Sequence, residues 1–451
     1  MPILKTPDTK LLEQCRQYML SGEPTPQGKV ICQGIPLING VIAGDISESG
    51  QILYIHMGQR PSVEELALSE AVIFESETPD NDLLELCRNV GLAAVGGITS
   101  PPQDSFVLDG LRGNLHRSGP LLESSMPNPW EAKIKSKLPI PILSSLNCLN
   151  DLTLASKRGA AGIGLIRSEH FCLHSDRLPL LQQLLLLEDG PLAEMRANEL
   201  AESLSDDFKI ILKNAPDGPI MFRLLDPPFH EFVNFQDTQN LPNNANFVSL
   251  YQEKISIAPT LVRRGMRLNI RQPAILRSMI KALDLSCRSF SDRDIYLTLP
   301  LTTSAKEINH VKNIIAPRPW KLSVMLETPS SLIEAPSSWF DLVDHFSIGG
   351  NDLTQFFLGI SRDDRQDLFH MQHHAFIDHD PFATLGPSLK EFIKPFISQA
   401  RKAGKKVNFC GQQAIDLESA NFLINAGTSQ LTCDINSLVP LRIQLSGVCI
   451  K

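Results

Sequence analysis

"SLKEFIKPFISQARKAGKKVNFCGQQAIDLESANFLINAGTSQLTCDI", residues 388–435, alternates two kinds of order. A helical run ends at "KAG", the short apolar run "KVNFC" follows, a second helical run closes on Gly427, and the apolar run "SQLTCDI" comes last. Strands separated by helices in this way belong to a parallel sheet, because successive parallel strands need a crossover between them. Both strands also end on a residue with chemistry, Cys410 and Asp434.

The same alternation extends back through the chain. Eight candidate strands read as "PILSSLN", "AGIGLIR", "PIMFRLLD", "DIYLTLP", "LSVMLE", "HFSIGGN", "KVNFC" and "SQLTCDI", with helical stretches such as "PAILRSMIKALDL" between them. Eight such units predict a (β/α)8 TIM barrel over residues 139–451, of α/β class. Residues 28–120 differ, with short β-rich runs ("VICQGIPLINGVIAGDI", "QILYIHM", "AVIFES") and one helical stretch, "NDLLELCRNVG", and they predict a small β/α domain ahead of the barrel. Residues 1–27 read as a short N-terminal segment and 121–138, rich in proline and mixed charge, as a linker.

Composition excludes several classes. The 451 residues carry a net charge of −8, which argues against a nucleic-acid binder, and 42% hydrophobic with 20% charged residues is ordinary for a globular protein. Nine cysteines without tight pairs suggest neither a disulfide framework nor a zinc site, so a reducing cytoplasmic setting is expected. The N-terminus, "MPILKTPDTKLLEQCRQYML", mixes charge through its apolar positions and reads as neither a signal peptide nor a membrane span.

Barrel enzymes place their chemistry where strands end, and here the ends carry Asn147, Arg167, Arg223, Glu327, Asn351 with Asp352, Cys410 and Asp434. Arg167 and Arg223, joined by Arg264, Arg267 and Arg362, would make a pocket for phosphate or carboxylate; each alone reads equally as a surface arginine in an ion pair. Glu327 and Asp352 end successive strands and suit Mg²⁺, a hard cation that takes one or two protein carboxylates; the alternative is a pair of solvated rim acids. Asn351 could donate to a phosphate oxygen. Cys410 is either a proton donor at the mouth or a packed core thiol.

The words "RGAAGIGLIRSEHFCLHSDRLP", "FRLLDPPFHEF", "RRGMRL", "VMLETP", "FSIGGNDLTQFFLGISRDD", "HDPFATLG" and "NFCGQ" resemble, in order and spacing, the phosphoenolpyruvate-utilising enzymes. The wording "RLLDPP" and "SRDD" is similar to the pyruvate phosphate dikinase branch, and more distantly to phosphoenolpyruvate synthase and enzyme I of the sugar phosphotransferase system. The resemblance implies that Glu327 and Asp352 hold Mg²⁺ and that Arg167, Arg223, Arg264, Asn351 and Arg362 bind phosphoenolpyruvate. It implies that Cys410 protonates the enolate to give pyruvate, with Arg167 and Arg223 neutralising charge as the P–O bond breaks. It also implies a phosphocarrier partner, a homodimer formed through the barrel, and a swivelling phosphohistidine domain over residues 28–120.

In that loop the family's carrier histidine follows Gly-Gly, Met and Thr-Ser. This chain reads "GGITSPPQDS" from Gly96, with Pro101 at the carrier position. Proline cannot accept a phosphoryl group, and Thr99 and Ser100 without an adjacent base are weak nucleophiles. Gln412 stands where the family has a carboxylate, Gly350 replaces a threonine, and residues 1–27 offer no counterpart of the dikinase's ATP-binding domain. Two readings compete: phosphotransferase chemistry with a histidine supplied in trans, without autonomous dikinase turnover, and a non-catalytic phosphoenolpyruvate sensor.

Overall fold

In the computed structural model, residues 130–449 are described except 175, 228, 234–250, 252–263, 316, 317, 363–367, 369, 373 and 375. Before residue 130 the described ones are 10, 14, 25, 26, 29–38, 41–44, 46, 52–59, 61, 66, 69, 71–79, 83, 84, 87, 92–102, 106–110, 113–117, 121 and 122.

The first ten strands are short: β1 (Thr25–Pro26), β2 (Val30–Gln33), β3 (Ile35–Ile38), β4 (Val41–Gly44), β5 (Ile52–Ile55), β6 (Ala71–Phe74), β7 (Ala93–Gly96), β8 (Phe106–Asp109), β9 (Asn114–Arg117) and β10 (Leu121–Leu122). Two four-stranded sheets result, β2-β9-β8-β4 and β3-β7-β6-β5, and β1 pairs with β10. Ile52, Ile73 and Val95 of one sheet share a buried apolar cluster with Phe106, Leu108 and Leu115 of the other. Most of "NDLLELCRNVG" and of the N-terminal segment lies outside the described residues.

The loop after β7 is held by its backbone. Gly97 takes a left-handed φ of 75° that only glycine adopts without strain, and its N–H donates to Ser76 O at 3.1 Å. The Tyr54 hydroxyl lies 3.1 Å from Ile98 O and 3.3 Å from Thr99 O. Pro101 and Pro102 follow in irregular backbone, and β8 begins at Phe106. His116 cannot substitute, because it is buried within β9, 3.9 Å from Asp109.

The eight strands read from the sequence are all present: β11 (Ile142–Leu146), β12 (Ile163–Ile166), β13 (Ile220–Arg223), β14 (Ile295–Leu299), β15 (Lys321–Leu326), β16 (His345–Gly349), β17 (Lys406–Cys410) and β18 (Gln430–Cys433). They pair in parallel and in chain order, and β18 closes on β11. Their outward side chains, Phe222, Leu297, Val324, Phe346, Phe409 and Leu431 among them, are fully buried in one apolar core with the surrounding helices. Helices start where the chain supplies caps: Ser304 forms a capping box with Glu307, and Thr328 and Asp416 accept from Ser331 and Ser419. The helix Pro191–Asn214 buries one stripe, which includes Ala193, Ala197, Leu200, Leu204, Phe208 and Ile211. A helix, Glu131–Lys135, also lies in the stretch read as a linker, and Arg442 donates to Glu131 at 2.9 Å.

Part of the barrel interior is polar. Ser323 Oγ stands 3.1 Å from His345 Nδ1, and His345 Nε2 lies 3.2 Å from Gln430 Oε1. In a second set Asn408 Nδ2 donates to Ser347 Oγ at 3.0 Å and Thr432 Oγ1 donates to Asn408 Oδ1 at 2.9 Å. Gly164 is the small partner this filling requires, since a Cβ there would stand 1.9 Å from Thr432 Oγ1. These contacts satisfy one another and cancel much of the cost of burying those groups.

Burial pushes the His345 imidazole down to about 4, partly offset by its contact with Gln430. The folded state therefore resists a proton that the unfolded chain accepts near its ordinary pKa, and stability falls as pH drops from about 6.5 towards 4. Between pH 7 and pH 5, urea unfolding should show His345→Gln losing about 2 kcal/mol less stability than the unaltered chain. Equal losses would show that His345 is not a source of the acid sensitivity.

Candidate functional site

Strand ends and the first turns after them converge at the C-terminal rim of the barrel. Arg223, the last residue of β13, is buried and donates to Glu169, two residues beyond Arg167. Ser168 Oγ closes the same corner by donating to Arg223 O at 2.7 Å. Arg223 also lies 3.8 Å from Asp226. Burial alone would make this guanidinium less basic, yet Glu169, Asp226 and Glu327 raise its pKa above the arginine range.

Arg264 sits at the start of the helix Gly265–Arg271 and bridges two carboxylates, donating to Asp226 at 2.8 Å and to Asp352 at 3.2 Å. Asp226 further accepts the Gly265 N–H at 2.6 Å. Asp352, in the first turn of the helix Gly350–Leu358, is held below the carboxylate range: burial opposes this, but Arg264, Arg362 and Arg223 outweigh it. Glu327 behaves oppositely. Burial first, and then the Asp352 charge, push it well above the carboxylate range, although the Leu301 N–H donates to its Oε2 at 2.7 Å. Two carboxylates that repel in a buried pocket form a donor set that fits a hard divalent cation such as Mg²⁺.

Arg167 experiences burial together with the charges of Arg223 and Arg362, and its pKa is lowered. Cys410 ends β17, and burial pushes its thiol up to about 11 against the opposing pull of Arg167 and Arg223. Asn351 accepts the Gln412 N–H at 3.3 Å. The sequence-derived candidates Arg167, Arg223, Arg264, Glu327, Asp352, Arg362 and Cys410 thus lie in one electrostatically connected group, and Asn351 is the chain neighbour of Asp352. Arg267 is exposed on the helix after Arg264. Asp434 is used locally, accepting from Asn436 N at 2.9 Å and Ser437 Oγ at 2.6 Å.

Sequence reading assigned no role to Glu169, Asp226 or His170. The signal was present for the first two, since each lies two or three residues past a strand-end arginine. His170 is driven well below its ordinary pKa by burial and then by Arg167, Arg223 and Arg362, so it is a neutral imidazole beside the cluster.

Gly350 is packed closely against Gln413. The Gln413 carboxamide is buried, donating to Thr354 Oγ1 at 3.0 Å and to Pro381 O at 3.1 Å. A Cβ on Gly350 would stand 2.6 Å from Gln413 Oε1 and from the Phe409 ring. Restoring a side chain with Gly350→Thr should therefore destabilise the protein by about 1–3 kcal/mol. Adding Gln413→Ala should recover part of that loss in thermal unfolding, and strictly additive effects would mean the two residues do not interlock.

The chain matches the family model described as "PEP-utilising enzyme, PEP-binding domain" over residues 126–449. It is 29% identical to pyruvate, phosphate dikinase of Rickettsia prowazekii, over 78% of this chain and 43% of that protein. It is 24% identical to the Clostridium symbiosum enzyme of the same name, over 97% of this chain and 56% of the relative. The chain thus spans about half the length of the curated relatives it matches. With the family model covering the whole barrel and the strand-end groups gathered at its rim, this chain belongs to the PEP-utilising enzymes, through their PEP-binding domain.

Proposed function

We propose that the barrel binds phosphoenolpyruvate and pyruvate at this rim, with Mg²⁺ held by Glu327 and Asp352. The observation that carries the reading is the convergence of Arg264, Arg362 and Arg223 on Asp352, with Arg167 set against Arg223 and Arg362. Burial and those two neighbouring charges disfavour the charge on Arg167, and an anion beside it, such as a phosphoryl group, would relieve this. Glu169 and Asp226 hold Arg223 and Arg264 in place before a ligand arrives, which keeps the reorganisation on binding small. Asn351 uses its Oδ1 on Gln412, so its Nδ2 is the group left to donate to the ligand. Bound between Glu327 and Asp352, Mg²⁺ would neutralise both acids and polarise the oxygens of the enolpyruvate unit.

The Cys410 thiol, raised to about 11, stays protonated at neutral pH and suits a donor to the methylene carbon of the enolate. Phosphoryl transfer also needs an acceptor. The loop after β7 offers Thr99, Ser100 and Pro101 but no imidazole, so the acceptor histidine would belong to a separate phosphocarrier. On this reading residues 28–120 are a degenerate swivelling domain and residues 139–451 the working barrel. The same loop favours a second reading, in which the chain binds phosphoenolpyruvate as a sensor without turning it over.

Calorimetry should detect Mg²⁺-dependent phosphoenolpyruvate binding that Arg223→Ala and Asp352→Ala each weaken about tenfold or more. Unchanged affinity in both variants would remove the site assignment. The two readings separate in deuterated water. Proton transfer at Cys410 predicts exchange of the pyruvate methyl protons with Mg²⁺ present, slowed about a hundredfold or more in Cys410→Ala. Tight binding without any exchange would favour the sensor.

A further inference from the structure

Among the described residues, Leu301 is the non-glycine residue with a positive φ, 45°. A residue with a Cβ avoids this left-handed region, and such strain persists where the surroundings over-determine it, often at a functional site. Leu301 is buried and lies just past the end of β14. Its N–H donates to Glu327 Oε2 at 2.7 Å.

A second left-handed turn is fitted against it. Gly265 has φ 57°, and a Cβ there would stand 2.5 Å from Leu301 Cβ and 2.9 Å from Pro300 O. The Met266 N–H donates to that same Pro300 oxygen at 3.1 Å. The neighbouring Arg264 spans Asp226 and Asp352 from this anchored turn. On the far side, Gly349 clears the other oxygen of Glu327, since a Cβ there would lie 2.6 Å from Oε1.

We propose that the strained Leu301 turn is a positioning device for the cation and anion sites together. By occupying Oε2 of Glu327 it leaves Oε1 as the donor oxygen, and by seating Gly265 it sets where Arg264 reaches. Relaxing φ at Leu301 would rotate the Pro300–Leu301 peptide and take its N–H off the carboxylate. The inference rests on the assignment of Glu327 as a cation ligand.

The test compares Leu301→Ala with Leu301→Gly in the full chain, since both remove the side chain and only glycine removes the strain. At an ordinary position the glycine variant is the less stable of the two; here it should melt at the same temperature or higher. Calorimetry with Mg²⁺ and phosphoenolpyruvate should show about tenfold weaker binding for Leu301→Ala than for Leu301→Gly, because alanine keeps the strain without the packing that enforces the turn, whereas glycine holds the same φ at rest. A residue with a merely structural role would shift the melting temperature and leave the two affinities equal. Equal affinities for the two variants, or a glycine variant that melts lower, would overturn the inference while leaving the site assignment intact. Failure of the unaltered chain to bind Mg²⁺ and phosphoenolpyruvate would overturn both.

Discussion

The bond between Arg223 and Glu169 is the constraint from which the rim follows. Both groups are almost fully buried, and an unpaired charge at that depth is costly to hold. Pairing leaves Arg223 with surplus attraction for Asp226, which in turn fixes Arg264, which reaches Asp352. Each member is compensated by the next, so the order of charges around the barrel mouth is set by satisfaction rather than by any one strong contact. Glu327 is the place where compensation runs short, and that is where a cation would be most strongly favoured.

The layer below is built on a different principle. A barrel interior is commonly filled by branched apolar residues, whereas this one crosses from β15 to β18 through Ser323, His345 and Gln430 and from β16 to β18 through Ser347, Asn408 and Thr432. Hydrogen-bond geometry is directional, so such a filling fixes strand register more tightly than interchangeable methyl groups would. The outer face of the same strands carries the apolar burial, and it pays for the conformational order of the whole. Rigid strand ends are the consequence, and the rim side chains are mounted on them.

Much of this was legible in the sequence because strand ends are one-dimensional objects. An apolar run followed by a charged residue puts Arg223, Glu327 or Cys410 at the mouth without knowledge of any neighbour. What could not be read is pairing across the barrel. Glu169 and Asp226 were visible as letters, but their roles depend on which arginine they meet in space. Leu301 was invisible for a deeper reason: its φ is imposed by Gly265 and Glu327, and no residue preference announces a strained leucine.

The small domain holds the turn after β7 independently of the side chain at position 101. The turn after β7 is secured by main-chain contacts: Gly97 N–H to Ser76 O, Ile98 N–H to Phe74 O, and the Tyr54 hydroxyl beside the Ile98 and Thr99 oxygens. None of these contacts involves the side chain at position 101, so proline is accommodated there without dismantling the turn. Proline at 101 and 102 also removes two backbone donors and restricts the preceding residues to extended conformations, which opposes a helix from this point. β8 starts at Phe106. The described part of the loop is exposed at Thr99 and Ser100 and carries no imidazole.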